Sequence, residues 1–221
     1  MEQAAQFLQL LDLTQLDMES LTDGVRKYAQ TWFRLDQRYR KFIHHARASG
    51  QASLLGELLT LVENLYQNHF LARLNDRWQV QVDAAPRWEA APILAQQDFF
   101  ARRVRPYLER KTKVCVLISD ALRYEIGEEL QGLIRREDRF EAELEPALAM
   151  LPSYTQLGMA ALLPHQSLQL AEDGSGEALA DGQSTQGSAN RARLLAAAVP
   201  AATVILAKDL LSVALEGEYT V

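Results

Sequence analysis

The sequence is poor in cysteine and lacks any long apolar run. Cys115 is the single cysteine in 221 residues, so no intrachain disulfide can form. The first twenty residues lack the basic start, apolar stretch and small-residue cleavage site of a secretory signal. No uncharged apolar run approaches the roughly 18 residues that a membrane-spanning helix needs. The sequence therefore predicts a soluble, cytoplasmic chain with no membrane partner.

A positive net charge is also missing. There are 23 Lys and Arg residues against 29 Asp and Glu residues, which gives a formal net charge of −6. A negative net charge gives no strong indication of DNA binding, although it does not rule out a local basic patch. With 48% hydrophobic and 24% charged residues, the composition is that of a globular protein with one large or two small domains.

The first 90 residues have the periodicity of helices. Between Leu21 and Phe42 large apolar residues recur every three or four positions, which places them on one helical stripe. This stripe consists of Leu21, Val25, Tyr28, Trp32, Leu35, Tyr39 and Phe42. A second helix should turn Leu54, Leu58, Leu61, Leu65 and the Phe70–Leu71 region inward. Residues 1–90 are thus predicted to be an α-helical region built on an αα-hairpin, with a short third helix near residues 8–16.

Residues 91–221 are expected to form an α/β domain with a mostly parallel sheet and flanking helices. The two prolines of residues 77–92 mark the boundary. A buried strand is predicted at Val114–Ser119, with Cys115 in the core and an amphipathic helix after it. The other expected elements are a helix over 93–108, a half-buried strand through Phe140–Leu144, a short helix ended by Pro164, a loop over 171–190, a helix over 191–199 and a strand over 203–207.

Asp120 follows the predicted strand directly. Ligands of open α/β sheets gather at the carboxyl ends of strands, so this carboxylate could hold a metal or take part in catalysis. Capping of the following helix is an equally good explanation from spacing alone. A receiver domain would need an earlier acidic pair, and a haloacid dehalogenase would need a second aspartate where Leu122 stands.

Ser153 and Thr155 supply hydroxyl groups at the predicted start of a helix. Backbone N–H groups there favour a phosphate, and a metal can activate a hydroxyl nucleophile. A helix cap is the competing explanation, and on spacing alone it is favoured. Asp120 and one hydroxyl are also too few ligands for a divalent metal.

Three segments in this order resemble the PglZ family of bacterial BREX phage-defence systems. They are "VCVLISDALRYEIGEEL" (114–130), "LPSYTQLGMAALLPH" (151–165) and "DGQSTQGSANR" (181–191). The resemblance covers residues 93–221 and reaches upstream to "LDQRYRKF" (35–42) and "VENLYQNHFLARLNDRW" (62–78). The family is considered part of the alkaline-phosphatase superfamily, so it implies a partial alkaline-phosphatase-like core.

The resemblance also implies roles for individual residues. Superfamily members use two divalent cations, here Zn²⁺, Mn²⁺ or Mg²⁺, and a Ser or Thr nucleophile on phosphate or sulfate esters. Asp120 would be a metal ligand and Thr155 the metal-bound nucleophile, with Ser153 as its alternative. The remaining ligands would follow a strand that begins at Tyr219. We therefore expect a C-terminally truncated domain that does not complete a metal site alone, and the four histidines are expected to be surface or packing residues.

Arg123 and Arg191 are the cations that would bind the phosphate group. An arginine can hold two phosphate oxygens at once, but an ion pair with Glu125 or Glu128 is the favoured alternative for Arg123. Gly182 and Gly187 would let the loop over 181–190 approach the site closely, and a loop that merely crosses the surface is an equally good explanation.

The predicted function is that of a fragment of a PglZ protein, a metal-dependent phosphohydrolase or phosphodiesterase that acts on a phosphate ester. The alternative is a non-catalytic scaffold whose helical region docks other BREX proteins, such as a methyltransferase or an ATPase. An exposed remainder of the Tyr28, Trp32, Tyr39 and Phe42 stripe would support the scaffold, because exposed aromatic patches mark interfaces.

Overall fold

The computed structural model describes residues 1–209, which fall into two compact units. The first unit comprises Met1–Ala95 and Leu117–Leu148, and the second comprises Gln96–Val116 and the residues from Ala149 onward. The helices are α1 (Glu2–Leu13), α2 (Leu21–Lys27), α3 (Phe33–Ala48), α4 (Ala52–Asn64), α5 (Ala72–Ala84), α6 (Arg105–Glu109), α7 (Tyr124–Ile134), α8 (Thr155–Ala161) and α9 (Gly187–Ala198). The strands are β1 (Leu94–Ala95), β2 (Ala147–Leu148), β3 (Leu168–Leu170), β4 (Ala178–Ala180) and β5 (Gln183–Ser184).

The predicted αα-hairpin is confirmed in the first unit. One arm consists of α2, a π-helical turn at Tyr28–Trp32 and α3, and the other consists of α4, a π-helical stretch at Leu65–Leu71 and α5. Gly50 connects the arms with a φ of 67°, a left-handed conformation that glycine adopts without steric cost. The short third helix is α1, whose Phe7 is completely buried against the hairpin.

The stripe of the first arm is the core, as its spacing predicts. Trp32 and Phe42 are 3% and 2% exposed, and Tyr39 stacks on Tyr66 of the other arm with ring centroids 3.7 Å apart. Tyr28 is half-buried. The stripe therefore leaves no exposed aromatic patch, and the observation that would have favoured a scaffold is absent.

The inward face of the second arm was predicted correctly only in part. Phe70 is buried, and Leu58 and Leu65 pack against the core, whereas Leu54 and Leu61 are 76% and 50% exposed. The buried residues of this arm are Val62, Tyr66 and Phe70. These three buried residues are spaced by four, and the last two lie in the π-helical stretch, whose turns are wider than those of an α-helix. Wider turns of this kind keep residues that are spaced by four, such as Tyr66 and Phe70, on one face.

The first unit also contains a short parallel strand pair and α7. Leu94 of β1 pairs with Ala147 of β2, and Ala95 pairs with Leu148. The buried residue of α7 is Glu125, whereas Leu130 and Leu133 of its predicted apolar side are about half exposed.

The second unit carries an antiparallel sheet in the order β3-β4-β5. Asp181 and Gly182 form the turn between β4 and β5, with φ values of 50° and 75°. Two left-handed residues of the type Asp-Gly are the favoured connection of a tight β-hairpin. Leu157 and Ala160 of α8 pack against Ala178 of β4. The loop predicted over 171–190 is therefore wrong for the residues that form this hairpin and the start of α9.

The predicted central strand is absent. Residues 114–119 pair with no strand among residues 1–209, and Val116 and Leu117 are 41% and 83% exposed. Cys115 is exposed rather than in a core. Apolar content alone does not make a strand, because its backbone groups need ladder partners and its side chains need covering layers.

Other strand predictions are also corrected. Residues 140–144 alternate between half-buried and exposed side chains without joining a ladder, and residues 203–207 form no strand. Turns of 3₁₀- and π-helix precede α6 in place of one continuous helix over 93–108. The described chain is thus mainly helical with two small sheets, and no mostly parallel sheet is present in residues 1–209. The strand expected at Tyr219–Val221 lies outside the described residues.

Within residues 1–209, no helix has the length and apolar character needed to cross a bilayer. The domain boundary near residue 90 stays a prediction.

Candidate functional site

Asp120 lies in a tight turn of the first unit. Its side chain is exposed, and the next residue, Ala121, has a left-handed φ of 54°. The following helix begins only at Tyr124, and its N-cap residue is Arg123, which makes no side-chain capping hydrogen bond. Asp120 therefore does not occupy the N-cap position of α7 that its alternative explanation assigns to it, and its role stays a prediction.

Arg123 forms the ion pair that its alternative explanation predicts. One terminal nitrogen of its guanidinium lies 3.2 Å from Oε1 of Glu125, although the arginine side chain is 53% exposed. The carboxylate of Glu125 thus already neutralises part of the positive charge of Arg123. Binding of a phosphate by Arg123 stays a prediction, and it would compete with this carboxylate.

Glu125 also binds Arg40 of α3, an interaction that the sequence did not predict. Nε of Arg40 donates to both carboxylate oxygens of Glu125 at 2.9 Å, and its Nη2 lies 2.6 Å from Oε2 of Glu129. Lys41 pairs with the other oxygen of Glu129 at 3.0 Å, and the two cations lower the pKa of Glu129. These charges fasten α7 to α3 and thereby fix the helix that follows the Asp120 turn.

A second buried carboxylate lies in α3. Asp36 is 8% exposed and accepts hydrogen bonds from the phenol groups of Tyr28 and Tyr66, the latter at 2.7 Å. Burial raises the pKa of Asp36 above its ordinary value, and it also raises the pKa of both tyrosines. Both carboxylate oxygens have partners inside the helical hairpin, so Asp36 has a structural role.

Thr155 is the first residue of α8 in the second unit. The N-cap position belongs to Tyr154, so neither Ser153 nor Thr155 occupies the position that the capping explanation assigns to them. Both Thr155 and Ser153 are exposed. A nucleophile must reach a substrate from solvent, and both hydroxyls meet that condition.

Gln96 anchors the segment around Thr155, although no sequence pattern singles this residue out. Its Oε1 accepts the backbone N–H of Met150 at 3.1 Å, and its Nε2 donates to the carbonyl of Gly158 at 3.3 Å. A Cβ at Gly158 would lie 3.2 Å from that Nε2, so glycine permits the contact. The hydroxyl of Tyr154 adds a bond to the carbonyl of Gly176 at 2.6 Å.

Arg191 of α9 is half-buried, and its Nη1 donates to the carbonyl of Thr185 at 3.4 Å. Gly182 and Gly187 both have left-handed φ values, and an added Cβ would meet nothing within 4 Å at either position. Both glycines therefore allow the left-handed backbone conformation at their positions, and no close approach of another group requires them. Phosphate binding by Arg191 stays a prediction.

The donor atoms suit a hard divalent cation only in part. A carboxylate from Asp120 and a hydroxyl from Thr155 are oxygen ligands of the right chemistry, but they belong to different units. Across the described residues, no three His, Cys, Asp or Glu side chains are grouped so that they could hold a metal. His44, His45 and His69 are exposed, and Nδ1 of His165 lies 2.7 Å from the carbonyl oxygen of Leu163.

Comparison with known proteins identifies the family of the chain. Residues 99–218 match the family described as the BREX system PglZ alkaline phosphatase-like domain. The chain is 42% identical over 177 residues to the alkaline phosphatase-like protein BrxZ of Escherichia coli O9:H4 (strain HS), a match that covers 77% of the chain and 20% of that relative. It is 30% identical over 190 residues to the alkaline phosphatase-like protein PglZ of Bacillus cereus (strain H3081.97), covering 85% and 22%. No solved structure matches the chain.

The chain therefore belongs to the PglZ family of BREX alkaline-phosphatase-like proteins, as the three sequence motifs predict. It spans about a fifth of the length of the curated relatives that it matches.

Proposed function

We propose that the chain carries part of the active site of a metal-dependent phosphohydrolase or phosphodiesterase that acts in phage defence. Asp120 is a metal ligand in this proposal, and Thr155 is the nucleophile, with Ser153 as its alternative. The observation that supports it is the match of residues 99–218, which include Asp120 and Thr155, to the family of BREX PglZ alkaline phosphatase-like domains. Both side chains are exposed, so a substrate can reach them from solvent.

The reaction would proceed by attack of the Thr155 hydroxyl oxygen on the phosphorus of a phosphate ester. The new O–P bond forms as the bond to the leaving alkoxide breaks, and water then hydrolyses the phosphothreonine. Divalent cations, when bound, would polarise the phosphoryl oxygens and activate the hydroxyl. Since residues 1–209 do not group enough ligands for a metal, the proposal requires ligands from other parts of a full-length protein.

Gln96 and Tyr154 would position the nucleophile. They fasten the backbone on both sides of Thr155 through side-chain hydrogen bonds. A rigid nucleophile segment loses little entropy when the substrate binds. Membership of a BREX system implies other BREX proteins as partners, and we propose a methyltransferase or an ATPase in contact with the helical region, in the cytoplasm.

The test is turnover of nitrophenyl mono- and diesters with Zn²⁺, Mn²⁺ or Mg²⁺. It uses a protein of the length of the relatives that contains this chain, and compares it with Thr155→Ala, Asp120→Asn and Ser153→Ala. We expect turnover to fall by roughly 10³-fold or more in the first two variants. Ser153→Ala is the matched control, because it removes a neighbouring exposed hydroxyl and should change turnover by less than about threefold.

Full activity in Thr155→Ala would remove this residue from catalysis. Loss of activity in Ser153→Ala alone would assign the nucleophile to Ser153 instead. A folded, metal-loaded protein without turnover on any ester would contradict the proposed phosphohydrolase.

A further inference from the structure

Positive charge is concentrated in one short segment of the second unit. Residues 99–113 contain six cations and a single carboxylate, Glu109, although the whole chain has a net charge of −6. We call these cations the basic patch; they are Arg102, Arg103, Arg105, Arg110, Lys111 and Lys113.

The fold of this segment turns the basic patch to solvent. Phe100 and Val104 are each 7% exposed, and Leu108 is half-buried, so one residue in four anchors the segment to its unit. Every cation of the basic patch is exposed. Because the apolar side is already buried, the cations occupy the sides that remain open.

Four of the six cations of the basic patch lack an acidic partner in the part of the chain that the structure describes. Arg102, Arg105, Arg110 and Lys111 form no ion pair with any acidic side chain of residues 1–209. This differs from Arg40 and Lys41, which pair with the carboxylates of α7. Like charges this close in sequence repel one another, and the repulsion is relieved by an extended polyanion.

The surroundings favour nucleic acid over a membrane. Surface helices that bind lipid insert an apolar face, and here Phe100 and Val104 already use that face in the core. Arginine holds phosphate oxygens with two parallel hydrogen bonds. Tyr107 lies among the cations with 49% of its surface exposed, and an exposed aromatic ring can stack on a base.

We propose that the basic patch binds the phosphate backbone of nucleic acid, with Tyr107 stacked against a base of a single strand. The negative net charge of the chain gives no indication of this basic patch, because acidic residues elsewhere in the sequence outnumber its cations. The proposal stands on charge and exposure, and it holds whether or not Thr155 is a nucleophile.

The test measures binding of the full 221-residue chain to a short labelled single-stranded DNA by fluorescence anisotropy. Affinity is compared between about 50 and 200 mM salt, since phosphate contacts release counterions. We expect the variant R102Q/R105Q/R110Q/K111Q to bind roughly tenfold more weakly or worse, with a salt slope that is shallower by about three to four. Tyr107→Ala should weaken single-strand binding several-fold.

The matched control is R73Q/R87Q/R136Q/R139Q. It removes the same number of positive charges from exposed arginines outside the basic patch, so both variants have the same net charge. This control should bind within about twofold of the original chain. Circular dichroism and the urea midpoint verify that both variants are folded.

Equal losses in the two quadruple variants would overturn the proposal, because they would indicate an effect of net charge alone. Absence of binding at the lowest salt concentration would also overturn it, as would binding to anionic vesicles without binding to DNA. An unchanged affinity of Tyr107→Ala would overturn the stacking contact.

Discussion

Arg40 donates through Nε to both carboxylate oxygens of Glu125, each at 2.9 Å, across 85 residues of sequence. Glu125 is completely buried, whereas the side chain of Arg40 is 31% exposed. A buried carboxylate is costly unless it is paired and hydrogen-bonded. The contact therefore decides how α7 packs on α3, and α7 in turn follows the Asp120 turn.

Arg40→Met should destabilise the protein because it removes the main partner of a buried charge. We expect a loss of about 2 to 3 kcal/mol in the free energy of unfolding, below the value for a fully buried pair, since Arg40 is partly exposed and Arg123 remains. Urea denaturation measures this change.

Lys27→Met is the control for this substitution, because Lys27 pairs with Asp23 on the surface. Its effect should stay below about 1 kcal/mol. The double variant R40M/E125L should recover most of the loss, since apolar side chains can replace a buried ion pair. No recovery would contradict the assignment of the loss to an unpaired carboxylate.

Asp36 should make stability depend on pH in the acid range. Burial raises the pKa of Asp36 in the folded state above its ordinary value, so the folded protein binds this proton more tightly than the unfolded chain. The contribution of Asp36 to the free energy of unfolding is fully present below its pKa in the unfolded chain. It is lost as the pH rises through its higher pKa in the folded protein. The stability difference between the original chain and Asp36→Asn should therefore fall as the pH increases.

Urea denaturation at several pH values between about 3 and 7 measures this difference. A difference that grows with pH would mean that the two tyrosine hydrogen bonds outweigh burial, and that the pKa is lowered instead.

Gly182→Ala should destabilise the β4–β5 hairpin. Gly182 has a φ of 75°, and an L-residue in that region loses about 1 kcal/mol. Gly132→Ala is the matched control: this glycine lies inside α7 with nothing within 4 Å of an added Cβ, so the change should stabilise by about 0.5 to 1 kcal/mol. Thermal unfolding compares the two, and equal signs would contradict the turn assignment.

Cys115 should react readily with a thiol reagent in the folded protein, because its side chain is exposed. We expect a rate within about threefold of the rate in urea, measured with a chromogenic disulfide. Cys115→Ser is the control that removes the signal. Strong protection in the folded state would contradict the exposure of residues 114–118.

The sequence predicted best where a pattern is local and repeated. The stripe from Leu21 to Phe42 defines one helix face, and burial of Trp32 and Phe42 follows from helical geometry alone. The leucine spacing of the second arm failed at Leu61 because Leu61 and its buried neighbour Val62 are both apolar. Spacing alone does not decide which of the two faces the core.

Long-range pairing was not accessible from the sequence. Nothing local pairs Arg40 with Glu125, and Gln96 is far from Gly158 in sequence although it donates to that carbonyl. The β4–β5 hairpin, by contrast, could have been found, because Asp181-Gly182 is a known two-residue turn signal. The roles of Asp120 and Thr155 came from family motifs, and they stay predictions.

The exposed apolar segment from Val114 to Ile118 makes the protein prone to aggregate in concentrated solution. Its valine, leucine and isoleucine side chains are exposed, and its backbone groups join no ladder among residues 1–209, so a second molecule can add a strand to it. Lys113 and Asp120 flank it as charged gatekeepers, which oppose aggregation by solvation. The net charge of −6 also makes the molecules repel one another. Added salt screens that repulsion, so concentrated solutions of the chain should precipitate sooner as the ionic strength rises.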